Sequence, residues 1–289
     1  MFKNFQLSNK KVNGVKINFR IGGTGKPLLL LHGYPQTHIM WREIAPSLAK
    51  NFTVICSDLR GYGDSDKPAS DKEHKTYSKT VMAKDQHELM KSLGYNEYFV
   101  IGHDRGARVA HRMAIDYQGS VLKLVVLDIV PTLHVFENTE QNLARRYYHW
   151  YFLIQPFPHP ETLIANSAEF YLKSKLAMWG SREGFIKNEI LDEYLRCFAN
   201  KDTIHATCED YRAGASIDLI EHKRDFNKKI VCPLLVLWGK KGTVEELYNP
   251  IKVWNDWALN VRGNSLDCGH FLPEEKPEDT YNAIINFLE

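Results

Sequence analysis

The sequence predicts an α/β fold with a mostly parallel central sheet, helices on both faces and a helical insertion. Short apolar runs alternate with amphipathic helical segments over the first 130 residues. From about 131 to 228 the segments are helical and rich in aromatic residues, without a clear strand. Strand and helix patterns then alternate again. We therefore predict one core, residues 1–130 and 229–289, carrying a helical cap at 131–228.

The predicted strands are short and mostly apolar, as strands buried on both faces of a parallel sheet are. The first belongs to a predicted hairpin, and the full set is Val15–Ile21, Pro27–Leu31, Phe52–Cys56, Tyr98–Gly102, Leu122–Leu127, Ile230–Leu237 and Asn260–Leu266. Helical spacing of apolar residues predicts the core helices Met40–Ala49, Ser78–Leu93, Arg105–Tyr117, Pro250–Trp257 and Pro277–Leu288.

Composition excludes several classes of protein. A chain of 289 residues with a net charge of +2 shows no electrostatic reason to bind nucleic acid or a membrane surface. It contains neither the apolar run of a signal peptide nor one long enough to span a bilayer. Its five cysteines are scattered and form no CxxC pair, so we expect reduced thiols in the cytoplasm. We expect no metal and no cofactor.

The segment Gly102-His103-Asp104-Arg105-Gly106 joins a predicted strand to a predicted helix. It fits the pattern G-x-nucleophile-x-G, in which small residues permit a tight turn that projects the middle side chain. A serine that displaced halide from saturated carbon would form a stable ether, whereas a carboxylate forms an ester that water can hydrolyse. Asp104 therefore predicts attack on saturated carbon, as in dehalogenases or epoxide hydrolases. The alternative is that Asp104 only caps the helix.

The second step of such a reaction needs a base and an acid that orients it. His270 follows the last predicted strand, and a histidine can take a proton from water near neutral pH. Asp128, at the end of a strand, is the better candidate for the acid, because the segment after Trp238 has no carboxylate before Glu245. The alternatives are a packed loop histidine and a carboxylate that caps a strand end.

An oxyanion hole is also required. His32-Gly33-Tyr34-Pro35 follows the first predicted buried strand. We expect the backbone N–H groups of Tyr34 and Arg105 to point at the carbonyl oxygen of the ester.

Together these motifs resemble the fluoroacetate dehalogenases, also called haloacetate dehalogenases, of the α/β-hydrolase superfamily. The resemblance covers nearly the whole chain and lies in HGYP (32–35), DLRGYGDS (58–65), GHDRGAR (102–108), LDIVP (127–131), His149-Trp150 and GHF (269–271). GHDRGxR is its most specific part, whereas HGxP and DxRGxGxS also occur in epoxide hydrolases. The chain departs from the family at Tyr34, where Phe is common, and at Ala107 and Cys268, where Gly is usual.

The resemblance implies hydrolysis of small 2-haloacids through a covalent ester on Asp104. It implies that His270 is the base, Asp128 its acid, and Arg105 and Arg108 the clamp for the substrate carboxylate. His149, Trp150 and Tyr211 match the halide pocket, although these aromatic residues could instead form cap core, and Arg108 could be a surface arginine. A haloacid is the implied partner, and the family is often dimeric, which implies a homodimer.

Three rival functions remain open. An epoxide hydrolase shares the Asp, the His and HGxP, but usually carries Trp after the nucleophile, where Arg105 stands here. An arginine at that position favours an anionic substrate, which also disfavours a haloalkane dehalogenase. A non-enzymatic ligand receptor on the same fold would not need all three catalytic residues together with a clamp.

Overall fold

The computed structural model describes residues 2–289 and contains one eight-stranded sheet. Its strands are β1 (Phe5–Val12), β2 (Val15–Gly22), β3 (Lys26–Leu31), β4 (Phe52–Ser57), β5 (Tyr98–His103), β6 (Val121–Leu127), β7 (Leu234–Gly239) and β8 (Val261–Leu266). They lie in the order β1-β2-β4-β3-β5-β6-β7-β8. The six strands β3 to β8 are parallel, whereas β2 is antiparallel to both of its neighbours. Met1, where the predicted core range begins, lies outside the described residues.

All seven predicted strands are present, with ends that differ by up to four residues. The strand β1 was not predicted, because its sequence is polar and most of its residues are exposed at the sheet edge. The signal for it is Asn13-Gly14, where both residues have positive φ, 47° and 81°. That pair forms the two-residue turn of a hairpin, so β1 could have been found from the sequence.

Fifteen α-helices accompany the sheet within residues 2–289. They are α1 (Ala45–Leu48), α2 (Lys79–Ser92), α3 (Arg105–Asp116), α4 (Thr132–Glu137), α5 (Gln141–Arg146), α6 (Tyr148–Leu153), α7 (His159–Ala165), α8 (Ala168–Trp179), α9 (Asn188–Phe198), α10 (Lys201–Gly214), α11 (Ile217–Asp225), α12 (Thr243–Leu247), α13 (Pro250–Asn255), α14 (Leu272–Glu275) and α15 (Pro277–Leu288). None of the helices in residues 2–289 has the length and apolar character that a bilayer crossing requires.

The predicted helix Met40–Ala49 is wrong as a continuous element. The chain forms a 3₁₀ helix at His38–Glu43, and α1 begins only after Ile44. Pro46 explains the break, because it has no N–H to donate and its ring clashes with the carbonyl of residue 42 in a regular α-helix. The other predicted core helices are present, with ends shifted by at most two residues.

Both faces of the sheet are covered. Every residue of β5 and β7 is buried, although successive side chains point to opposite faces. In the surrounding layers α2 contacts α3, and α1 contacts α15. The continuous apolar runs that predicted these strands therefore reflect burial on two sides.

Only helices follow β6 until the chain returns to the sheet at β7. The eight helices α4 to α11 fill the range in which a cap was predicted. Asp104 follows β5, Asp128 follows β6, and His270 comes after β8. Because parallel strands end at the same edge of a sheet, these three residues meet beneath the helices.

Candidate active site

Asp104 occupies a strained turn between β5 and α3. Its backbone has φ 46° and ψ −114°, a conformation that residues with a side chain rarely adopt. The flanking glycines are needed for steric reasons. A Cβ at Gly102 would lie 2.5 Å from Cα of Ala107, and one at Gly106 would lie 2.3 Å from the carbonyl oxygen of His32. The turn therefore projects the Asp104 side chain away from the sheet edge, as the sequence motif predicts.

The Asp104 carboxylate is largely buried and held at one oxygen. The Tyr34 N–H donates a hydrogen bond of 2.8 Å to Oδ1. The N–H of Arg105, the other predicted donor, makes no hydrogen bond to Asp104 within residues 2–289. Burial alone would raise the pKa of Asp104, but the nearby charges, His270 first and Arg108 among them, outweigh it and lower the pKa. Asp104 is therefore an anion at neutral pH.

His270 is oriented by Asp128. Its Nδ1 lies 2.5 Å from Oδ2 of Asp128, whose other oxygen accepts the Gly239 N–H at 2.9 Å. Burial favours neutral His270, but the hydrogen bond and charge of Asp128 outweigh burial and raise its pKa above 6.5. Glu245, the alternative acid, instead accepts a hydrogen bond from the Trp238 indole. The structure thus joins the histidine to the carboxylate that the sequence favours.

The loop that carries His270 is fixed by a residue that sequence reasoning missed. The carboxylate of Glu275 accepts the N–H groups of Gly269 and Phe271, each at 3.0 Å. It also accepts the Ser181 N–H at 2.7 Å, which ties the loop to the end of α8. Glu275 thus accepts hydrogen bonds from several backbone N–H groups that would otherwise be unpaired, and it holds the His270 loop rigidly.

Arg105 is fully buried and paired. Its Nε and Nη2 donate to the Asp210 carboxylate at 2.9 and 2.7 Å, and its Cζ lies 4.2 Å from the ring centroid of Tyr211. Asp210 also binds the ammonium of Lys79 and accepts the Tyr62 hydroxyl at 2.6 Å. The charge of Arg105 is therefore compensated by a carboxylate of α10. Sequence reasoning did not identify Asp210, although a buried arginine requires a counter-charge.

Arg108 differs from Arg105 in having no carboxylate within 4.0 Å among residues 2–289. Its Nη1 donates to the carbonyl of Val130 at 3.0 Å and to Oγ1 of Thr132 at 2.9 Å. Its buried Nε has no hydrogen-bond partner within residues 2–289. Burial and the charge of Arg105 lower its pKa from the usual value. Arg108 is thus a buried cation with an unused donor, and it lines the cavity beside Asp104.

The predicted halide residues form one aromatic group. His149 and Trp150 line the cavity, whereas Tyr211 lies behind them, with its ring centroid 5.7 Å from His149 and 6.1 Å from Trp150. Nδ1 of His149 has no hydrogen-bond partner within residues 2–289. Burial, with a smaller effect of the Lys175 charge, lowers the pKa of His149 well below 6.5. His149 is therefore neutral.

The cavity in front of Asp104 is small, about 50 Å³. A cavity needs roughly 10–15 Å³ to hold one water molecule, so this one accommodates only a few non-hydrogen atoms. Trp179 contributes to its wall and was not predicted. No motif marked it, because its place depends on how α8 packs against the His270 loop. The lining includes Asp104, Arg108, Asp128, His149, Trp150, Trp179 and His270.

Comparison with known proteins agrees with this architecture. The family model of the alpha/beta hydrolase fold matches residues 26–277. The fluoroacetate dehalogenase of Burkholderia sp is 43% identical over 100% of this chain and 95% of its own length. The soluble epoxide hydrolase of Corynebacterium sp. (strain C12) is 33% identical over 96% of this chain and 95% of its own.

A solved structure extends the comparison to three dimensions. The crystal structure of a protein from Nostoc sp PCC 7120, described as an alpha/beta hydrolase, is 55% identical with a TM-score of 0.99. The match covers 100% of this chain and 99% of that one.

Proposed function

The chain belongs to the alpha/beta hydrolase fold family, and from this premise we propose that it hydrolyses carbon–halogen bonds in small 2-haloacids such as fluoroacetate. The observation that carries the proposal is the pairing of two groups at one cavity. Ionised Asp104 faces a space of about 50 Å³ whose wall includes Arg108, a cation without an acidic partner. A nucleophile for saturated carbon thus lies beside a binding group for a carboxylate.

The two oxygens of Asp104 take different roles in this proposal. Oδ1 is held by the Tyr34 N–H, whereas Oδ2 faces His270. Oδ2 attacks C2 of the haloacetate, the carbon–halogen bond breaks, and halide leaves with the bonding electrons. An ester now joins Oδ2 to C2, and Oδ1 is its carbonyl oxygen. The Tyr34 N–H is therefore already directed at the atom on which negative charge develops in the next step.

Hydrolysis of the ester then requires His270. Neutral Nε2 takes a proton from water, and the resulting hydroxide adds to the carboxyl carbon of Asp104. The tetrahedral intermediate collapses, glycolate leaves by breaking the bond between that carbon and Oδ2, and the histidine returns its proton. The net change is haloacetate plus water to glycolate, halide and one proton. Asp128 stabilises the imidazolium that forms transiently.

Arg108 is the main residue that orients the substrate, by binding its carboxylate. Arg105 already donates to Asp210 through two nitrogens, so its positive charge is largely neutralised by the Asp210 carboxylate. Its guanidinium, and the Tyr211 ring packed on it, contribute from behind the cavity wall. Holding the carboxylate fixes C2 in line with Oδ2, which is worth several kcal/mol of the barrier.

The side of the cavity where the halide is proposed to lie has hydrogen-bond donors. A departing halide only accepts hydrogen bonds, and His149, Trp150 and Tyr211 each have an N–H or O–H group. Fluoride is a poor leaving group. Donors placed where its charge grows therefore lower the barrier directly.

An epoxide hydrolase is the second candidate, favoured by the relative at 33% identity and by Tyr147 in the cavity wall, whose hydroxyl could protonate an opening ring. The small cavity and Arg108 disfavour a bulky neutral epoxide. The test is fluoride release from fluoroacetate with an ion electrode, set beside diol formation from styrene oxide. Asp104→Ala is the control and should abolish either activity. Styrene oxide turnover without fluoride release would replace our proposal.

The cellular setting is a further part of the proposal. All five cysteines are buried and free, which fits the reducing cytoplasm that the sequence predicts. The homodimer remains a prediction from the family resemblance, and the cap boundaries at 131 and 228 remain predictions as well.

A further inference from the structure

Among the buried cations of residues 2–289, two have no carboxylate within 4.0 Å. The buried arginine and lysine side chains of residues 2–289 are Arg42, Arg60, Lys79, Arg105, Arg108, Arg112, Lys175 and Arg212. Six of these lie within 4.0 Å of a carboxylate. Arg108 and Lys175 are the exceptions. An unpaired buried charge is unfavourable, so its retention in a cavity wall or directly behind one points to a counter-charge supplied by a ligand.

Lys175 lies on α8 within a group of aromatic side chains. Its Nζ donates a hydrogen bond of 2.5 Å to the Tyr148 hydroxyl. The same atom lies 3.8 Å from the ring centroid of Tyr148, 5.1 Å from that of Tyr171 and 5.5 Å from that of Trp179. Aromatic faces attract a cation but carry no net charge. The positive charge is therefore held in place without being neutralised.

Two residues that line the cavity separate the Lys175 ammonium from it. Trp179, one helical turn after Lys175, and His149 both line the cavity, with ring centroids 4.7 Å apart. Nε1 of Trp179 and Nδ1 of His149 have no hydrogen-bond partner within residues 2–289. The ammonium thus lies one side chain behind the wall on which the halide donors are proposed. Arg108, the other unpaired cation, belongs to the proposed carboxylate site.

We propose that Lys175 is an electrostatic positioning residue for the departing halide. It makes the His149 side of the cavity positive, while Arg108 attracts the carboxylate. In a bound haloacetate, the carboxylate would then lie near Arg108, and the negative charge that develops on the halogen would lie on the side of Lys175. This inference rests on the proposed dehalogenase function, but halide binding can be measured without turnover.

Titration gives the inference a specific signature. The titratable groups that face Lys175 are Tyr148, Tyr171 and His149. Burial raises the pKa of both tyrosines and lowers the pKa of His149. Burial also lowers the pKa of Lys175 to about 8. Of these four groups only Lys175 loses its charge as the pH rises through about 8, so halide affinity should fall there.

The experiment is titration of the intact protein with chloride and bromide, followed by tryptophan fluorescence. We expect Lys175→Met to weaken halide binding by about tenfold, the scale of a partly screened charge. Its melting temperature should stay the same or rise, because an apolar residue of similar volume replaces an unpaired buried charge. The matched control is Lys173→Met on the same helix, where the lysine is half-exposed and paired with Glu169. It should change halide affinity by less than about twofold.

Lys175→Arg keeps a charge that does not titrate in this range. It should bind halide within about threefold of wild type at pH 7 and should lack the loss of affinity above about pH 8. Unchanged halide affinity in Lys175→Met would overturn the inference, as would an equal pH dependence in wild type and Lys175→Arg. Failure of wild type to bind halide would overturn it too, while fluoride release would still decide the proposed function separately.

Discussion

Nε2 of His270 lies 3.9 Å from Oδ2 of Asp104, so the two residues face each other without a hydrogen bond. In a serine hydrolase the corresponding pair is bonded, because the histidine must remove the proton of the nucleophile. Ionised Asp104 has no proton to lose. The gap is therefore consistent with a histidine that acts on water in the second step and leaves the first step to the carboxylate.

Replacing His270 with Asn should separate the two steps. Alkylation of Asp104 does not need a base, whereas hydrolysis of the ester does. We expect the variant, incubated with chloroacetate, to accumulate a carboxymethyl group on Asp104 and to release at most one halide per site. Peptide mass spectrometry locates the group, and an Asp104→Asn/His270→Asn double variant is the control. An inactive single variant without the modification would contradict the staged mechanism.

Removing Asp128 should be far more damaging than removing Glu245, the alternative acid. Because Asp128 fixes the tautomer of His270, Asp128→Asn should lower kcat by roughly 10³–10⁴-fold. Glu245→Gln is the matched control, since Glu245 binds Trp238 and should change kcat less than about threefold. Steady-state fluoride release measures both variants. The reverse ranking would move the acid to the loop after Trp238.

The same pair predicts a pH dependence. His270 acts as a base only when neutral, so activity should fall as the pH drops through its pKa. Asp128 raises that pKa above 6.5. The acidic limb of the single-turnover rate of ester hydrolysis in wild type should therefore lie above about pH 6.5, and the residual activity of Asp128→Asn should show this limb at lower pH. A limb at the same pH in both would show that another group controls it.

Arg108→Ala tests the carboxylate clamp. Loss of a charged hydrogen-bond partner costs roughly 1.5–3 kcal/mol, so kcat/KM for chloroacetate should fall at least about tenfold. Neutral chloroacetamide should be affected much less, because it has no charge to lose. Arg112→Ala is the control, since Arg112 lies further along α3 and pairs with Asp116 and with Asp225 of α11. Equal losses for both substrates in Arg108→Ala would count against the clamp.

Asp210→Asn tests the link between cap and core. Asp210 binds Arg105 and Lys79. Its loss would leave Arg105 buried without a carboxylate partner, while Lys79 would keep only the longer contact with Asp218 at 3.5 Å. The free energy of unfolding, measured by urea denaturation, should fall by about 3–5 kcal/mol. Asp202→Asn, an exposed acid in the first turn of the same helix, should lower it by less than about 1 kcal/mol. Similar small losses in both variants would show that Asp210 is dispensable.

The sequence by itself determined the positions of Asp104, Asp128 and His270. Each follows a parallel strand, and the apolar runs of those strands are visible without a structure. The strained turn at Asp104 is equally local, because the need for Gly102 and Gly106 comes from backbone contacts within and beside that turn. Local spacing was less reliable at Met40–Ala49, where Pro46 divides the helix.

Only the tertiary structure decided which charges are compensated. Asp210 is 105 residues from Arg105 in the chain yet neutralises it, whereas Arg108, three residues further along the same helix, keeps an unused Nε. Trp179 lines the cavity, with Lys175 one side chain behind it, because α8 packs beside α6 and the His270 loop. Hydrophobic periodicity specifies which face of a cap helix is buried, but not which residue of another element that face meets. The ion pairs and the cavity wall depend on that docking, so they could not be derived from the order of residues alone.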